Sequence, residues 1–260
     1  MSRNFELMQN LGREREMFEA TAETNGAVEE PAASAKFAPA PVELQPLQLK
    51  MEEAQRDEIF KLVQRVFLMP GAGRGRAVIV SGMEAGNGCS WICARMAEVL
   101  ASQVSGSVCV VDANLRSPGL HREFGVTNHY GLTDALQVTD PIRRFVTSLS
   151  RPNLWLLSCG AEVEGMQTML SSDRMRALLP ELQREFDYVL IDAPPLEASD
   201  DSLMLGQNAE GIVLVLRANS SRRETARKAV RNLESASVRV LGAVLNHRTF
   251  PVPESIYRKL

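Results

Sequence analysis

Between residues 81 and 91 the chain reads SGMEAGNGCSW, and Gly86, Gly88, Cys89 and Ser90 are the residues there whose types and spacing could do chemistry. A loop of the form G-x-x-x-x-G-K-[ST] between a strand and a helix grips phosphate. Its glycines let consecutive backbone N–H groups turn inward, and the helix that follows adds positive potential. Gly86 and Gly88 stand where that loop needs them, and Ser90 stands where a hydroxyl would bind Mg²⁺. The lysine position holds Cys89, and Met83 replaces the leading glycine, with Gly82 one residue earlier. Asn87 inside the loop and Trp91 just after it complete the candidate nucleotide contacts.

Two carboxylates belong with this loop. Asp112 closes the apolar run VCVVD and Asp192 closes DYVLID. Ligands of open parallel sheets bind at the carboxyl ends of strands, so Asp112 and Asp192 are expected to meet beside Ser90 and hold Mg²⁺ partly through water. Either Asp alone would read as a turn or cap residue; together with the loop they read as a site. A thiol at a helix N-terminus tends toward a lowered pKa, so Cys89 also raises the possibility of a redox switch, against the plainer reading of a neutral replacement.

The elements that must position these residues are legible as runs. AVIVS (77–81), SVCVVD (107–112), LWLLS (154–158), DYVLID (187–192), GIVLVLR (211–217) and VRVLGAVLN (238–246) are apolar at nearly every position, the pattern of strands covered on both faces. Helical stretches such as SWICARMAEVLASQ and SRRETARKAVRNLESA separate them. Right-handed βαβ crossovers then give an α/β fold: a doubly wound, mostly parallel sheet with helices on both faces. Upstream, Ile59, Leu62, Val63, Val66 and Phe67 have helical spacing, and Pro70-Gly71 ends that run. Residues 1–50 are expected to form an N-terminal helix over about 3–20 and then a disordered Ala/Pro/Glu-rich linker, leaving 51–260 as the phosphate-loop domain.

Composition limits the alternatives. A net charge of −3 gives no global case for nucleic acid. No apolar run approaches the ~18–20 residues that span a bilayer, and MSRNFELMQNLGRERE is too polar for a secretory signal. A cytoplasmic protein is expected, with Cys89, Cys93, Cys109 and Cys159 as reduced thiols, since their spacing suits no metal.

The motifs in order, SGMEAGNGCS, VVDANLRSPGLHREFG, FDYVLIDAPP and VLNHR, resemble the bacterial tyrosine kinases of capsule and exopolysaccharide biosynthesis, relatives of the partition-type P-loop ATPases. The resemblance covers about residues 58–248, with GLTDAL, NLWLLSCG, LSSDRM and VLRANSSRRET in matching order. It implies ATP or ADP with Mg²⁺ as cofactors, and Gly86, Gly88, Cys89 and Ser90 as the first phosphate motif. It makes Asp112 and Asn114 the second motif, Asp192 the third, and Asn246 a residue near the adenine. It implies as partner the cytosolic tail of a membrane polysaccharide co-polymerase or chain-length regulator, which would recruit the chain to the inner membrane face, and it leaves room for a homo-oligomer. The chain departs from the pattern at the chemistry. Cys89 replaces lysine, and Asn114 replaces the second Asp thought to activate the attacking hydroxyl. Glu84 occupies the position of the partition ATPases' alternative lysine. The oligomer motif E-x-x-R-x-x-R reads Glu58, Lys61, Gln64, with Arg65 out of register, and of the terminal tyrosine cluster only Tyr257 is present. Because phosphoryl transfer depends on positioning and charge stabilisation, these losses lead to the expectation of a nucleotide-binding regulator with weak or no kinase activity. An enzyme using a substitute cation, Arg116 or Arg95, is the first alternative, and a scaffold that binds no nucleotide is the second.

Overall fold

The computed structural model describes residues 53–68 and 76–247. The expected N-terminal helix and linker, and Tyr257, lie outside them. In chain order the elements are α1 (Glu53–Val63) continued by a π turn (Gln64–Leu68), β1 (Arg76–Gly82), α2 (Cys89–Gln103), β2 (Val108–Asp112), α3 (Leu120–Phe124), α4 (Leu132–Gln137), a 3₁₀ turn (Ile142–Arg144), β3 (Thr147–Ser148), β4 (Leu154–Leu157), α5 (Met166–Met169), α6 (Asp173–Glu185), β5 (Tyr188–Ala193), α7 (Asp201–Gln207), β6 (Gly211–Arg217), α8 (Arg223–Ser235) and β7 (Val240–Asn246).

The seven strands form one sheet in the order β3-β4-β2-β5-β1-β6-β7, parallel throughout except for the two-residue edge strand β3. The six longer strands are the six apolar runs of the sequence. Their residues alternate between two cores. Ala77 and Ile79 of β1, Cys109 and Val111 of β2, and Val189 and Ile191 of β5 pack on one side with α4, α6, α7 and α8. Val78, Val80, Val108, Val110 and Leu190 pack on the other side with α1, α2 and α3. Both faces are dry, which is why the runs are apolar at every position rather than at every second one.

The helical pattern read upstream of β1 is present but changes pitch. After Val63 the chain widens into the π turn, which drives Val66 and Phe67 into the core. Phe67 meets Tyr188 edge-on at 6.1 Å between ring centroids. Its carbonyl lies 3.5 Å from the guanidinium of Arg76 at the start of β1.

Connectivity sets the place of the site. The chain leaves β1 through α2 toward β2 on one flank, while β6 lies on the other flank. The strand order therefore reverses beside β1, and the crevice at its carboxyl end is where a doubly wound sheet receives a ligand.

Candidate functional site

The loop leaving β1 is held from three sides. Met83 N–H donates to the carbonyl of Val215 on β6 (3.2 Å), and the Asn87 side-chain amide donates to the same carbonyl (3.1 Å). The Asn246 amide, at the end of β7, donates to the carbonyl of Asn87 (3.0 Å). Leu196 and Glu197 N–H, just past β5, donate to the carbonyls of Gly82 and Met83. Between these anchors Gly86 and Gly88 both take φ of +78°, a backbone open to glycine at little cost. At Gly88 space forbids a side chain as well, because a Cβ would stand 2.4 Å from the Asn246 amide nitrogen. Left-handed glycines on either side of Asn87 give the alternation that turns N–H groups toward an anion, at the start of the 15-residue helix α2.

The carboxylates converge as expected. Asp112 and Asp192 are direct register partners on adjacent parallel strands, at their carboxyl ends, and both are fully buried. The Ser90 hydroxyl and Cys89 thiol lie close enough to favour the ionised form of Asp192, yet neither closes a hydrogen bond of good geometry with it. Asp112 is half engaged: its Oδ2 accepts from the N–H groups of Gly119 and Leu120, at 2.9 Å each, while Oδ1 has no partner. Three carboxylate oxygens, Asp112 Oδ1 and both of Asp192, are thus buried without a hydrogen bond. Burial first, and for Asp192 then the Asp112 charge beside it, push both carboxyls well above the usual range. Buried acceptors left without donors, next to a hydroxyl and an anion-ready loop, fit a hard divalent cation.

At Cys89 the surroundings bear on the two readings of its thiol. Burial, then the Asp192 charge and then Cys93 one helical turn on, push its thiol well above the ordinary value instead of below it. Burial foremost, and then the neighbouring carboxylate, outweigh the helix N-terminus, which favours the neutral replacement over the redox switch.

Of the two substitute cations, Arg95 is already committed. It is buried, pairs with Glu98 at 3.2 Å and Glu123 at 3.0 Å, and lies 5.4 Å above the Trp91 ring. Trp91 is accordingly packed as the platform of that pair. Arg116, in the loop after β2, is exposed and has no ion pair among the described residues. Asn114 is half-exposed in the same loop, where its N–H faces the Asp112 carboxylate and its carbonyl accepts from Ser117. The Asn246 side chain lies beside the loop, with its amide on Asn87 and its Oδ1 accepting from His247 N–H (2.9 Å). Gly119 is the functional position that the sequence reading missed. It presents one of the two N–H groups to Asp112, and a Cβ there would stand 2.6 Å from the Ser90 hydroxyl. The signal was the Ser117-Pro118-Gly119 turn opening α3 directly after Asp112.

Comparison with known proteins agrees with this geometry. The family model described as ParA, NUBPL iron-transfer P-loop NTPase, matches residues 75–259. The tyrosine-protein kinase YwqD of Bacillus subtilis (strain 168) is 32% identical over 171 residues, covering 66% of this chain and 72% of that protein. The tyrosine-protein kinase ptk of Acinetobacter johnsonii is 28% identical over 67% of this chain, which spans only 24% of that longer relative. Among solved structures, the VpsO kinase domain superposes with a TM-score of 0.66 at 25% identity, over 76% of this chain and 98% of that one. A P-loop held on a mostly parallel sheet, paired acidic strand ends and these matches place the chain in the ParA family of P-loop NTPases, among whose members its relatives are bacterial tyrosine kinases.

Proposed function

We propose that this chain is a nucleotide-binding regulator of the exopolysaccharide and capsule tyrosine-kinase type, with weak or no kinase activity. The observation that carries the reading is the thiol of Cys89 at the lysine position, facing Asp192, in a site that otherwise keeps its phosphate loop and its paired carboxylates. The N–H groups of the Gly86–Ser90 loop and the α2 N-terminus would hold the phosphates of ATP or ADP. Ser90, Asp112 and Asp192 would hold Mg²⁺, which when bound supplies neutralisation of phosphate charge. Asn246 would stand at the base side of the loop, and Trp91 below it supports α2.

Binding and turnover separate at two residues. Cys89 offers no charge to the phosphoryl group in flight, and Asn114 has no basic oxygen with which to take the proton of an attacking hydroxyl. By the same family resemblance the partner is the cytosolic tail of a membrane polysaccharide co-polymerase, which a nucleotide-dependent loop could engage without chemistry. Arg116, exposed and without an ion pair among the described residues, favours the second reading, an ATPase or kinase with a substitute cation.

Turnover and phosphotyrosine on the purified chain decide between them. The regulator is expected to show neither above background with MgATP. Robust turnover that Asp192→Ala abolishes and Arg116→Ala sharply lowers would establish the substitute-cation enzyme instead.

A further inference from the structure

Helix α8 differs from the rest of this acidic chain. From the end of β6 through α8 stand Arg217, Arg222, Arg223, Arg227, Lys228 and Arg231, six cations against the two carboxylates Glu224 and Glu234. All six are exposed, and none has an ion pair with a described residue. Three exposed arginines elsewhere do have partners, Arg143 with Glu185, Arg144 with Asp140 and Arg176 with Asp173. The helix is oriented by its inner side: Leu233 is buried, and Val230 and Ala236 pack against the core. Arg223, Arg227 and Arg231, spaced four apart, therefore form a row on the outer side, with Lys228 flanking it.

Three properties of this face define what it fits. The exposed residues between Arg222 and Arg231 are all charged, so this face offers no apolar pocket for a peptide side chain and no apolar wedge to insert. It carries no aromatic ring on which a base could stack. Glu224 and Glu234 are interspersed with the cations, which penalises a rigid polyanion of fixed phosphate spacing, whereas laterally mobile lipids can gather at the cations and leave the carboxylates. Leu233 belongs to the core on the side of the sheet opposite α2, so a surface meeting the outer side of α8 leaves the P-loop helix uncovered.

We infer that the outer face of α8 docks on the anionic phospholipid headgroups of a membrane surface. The contact is electrostatic and non-inserting, and it does not depend on the nucleotide site. It places the chain on a bilayer even before a protein partner engages it.

The test is co-sedimentation of the full chain with vesicles of phosphatidylcholine alone or with about 30 mol% phosphatidylglycerol added, across a salt series. Binding is expected to the anionic vesicles alone and to fall steeply as the Debye length shortens. Arg223→Glu, Arg227→Glu and Arg231→Glu together should weaken it by roughly tenfold or more. The same charge change placed elsewhere on exposed arginines, Arg56→Glu, Arg151→Glu and Arg184→Glu, should weaken it far less. If the two triple variants lose binding equally, net charge is responsible and the α8 site is refuted. Failure of the wild-type chain to bind anionic vesicles at low salt refutes it without recourse to any variant. Duplex DNA captured through the same arginines, with vesicles ignored, would replace the membrane by a nucleic acid.

Discussion

Cys89→Lys is expected to tighten MgATP binding by roughly ten- to hundredfold, the range of a charge-assisted hydrogen bond to phosphate gained in a half-buried site. The geometry supports a gain in the free protein too. The new ammonium would stand beside Asp192, whose buried carboxylate has the like charge of Asp112 next to it and only the thiol and the Ser90 hydroxyl as nearby donors. Catalysis should respond differently. Lysine restores charge stabilisation but not proton abstraction, and the two act in one transition state, so Cys89→Lys alone should leave turnover low. Asn114→Asp alone should do the same. The double variant should exceed the product of the two single effects. Titration calorimetry and phosphate release on the four proteins measure this. An unchanged affinity in Cys89→Lys would show that the loop does not hold phosphate and would favour the scaffold.

A single isosteric change at Asp192 should move stability and binding in opposite directions. The Asp192 carboxyl is raised from an ordinary 3.8 toward neutrality, by burial and then by Asp112. In the unfolded chain it ionises near its ordinary value. Folding above that pH must therefore bury a charge or take up a proton, so this group costs stability increasingly as pH rises from about 4 to about 7. Below that window it costs nothing. Asp192→Asn should thus raise the melting temperature of the nucleotide-free protein at pH 7.5 by roughly 5–10 °C, on the order of 2–4 kcal/mol, with the gain fading toward pH 4. The same variant should lose the Mg²⁺ dependence of nucleotide binding, since the amide cannot serve as an anionic ligand. Thermal melts at the two pH values check the first claim. Destabilisation by Asp192→Asn at pH 7.5 would mean that the carboxylate is satisfied in the free protein and has no need of a cation.

The sheet was readable because its strands are buried on both faces. Continuous runs such as VCVV and GIVLVLR leave no room for an amphipathic alternative. What escaped was whatever rests on context. Strand β3 is two residues long and exists only through pairing of Thr147 and Ser148 with Leu156 and Trp155. Helix α6 carries Pro180 inside it, a breaker by local rules, yet it begins on a proper cap, the Ser172 hydroxyl accepting from Met175 N–H at 3.2 Å. At the site, the convergence of Asp112, Asp192 and Ser90 was legible from residue types at strand ends, because the carboxyl end of a parallel strand is fixed by direction alone. The electrostatics were not legible. That Cys89 faces a carboxylate, and that Arg95 is spent on Glu98 and Glu123, depends on side chains brought together from α2, α3 and β5. Gly119 was hidden for the same reason, since its need for a bare Cα arises from Ser90, 29 positions upstream.

The central claim is that the site holds Mg²⁺-nucleotide without the loop lysine, and an equilibrium titration of the wild-type chain with ATP and with ADP, each with and without Mg²⁺, tests it most directly. Saturable binding of both nucleotides is expected, weaker without Mg²⁺ because three buried carboxylate oxygens then face the phosphates uncompensated. Absence of binding at millimolar nucleotide with Mg²⁺ present, by a chain shown to be folded, would contradict it.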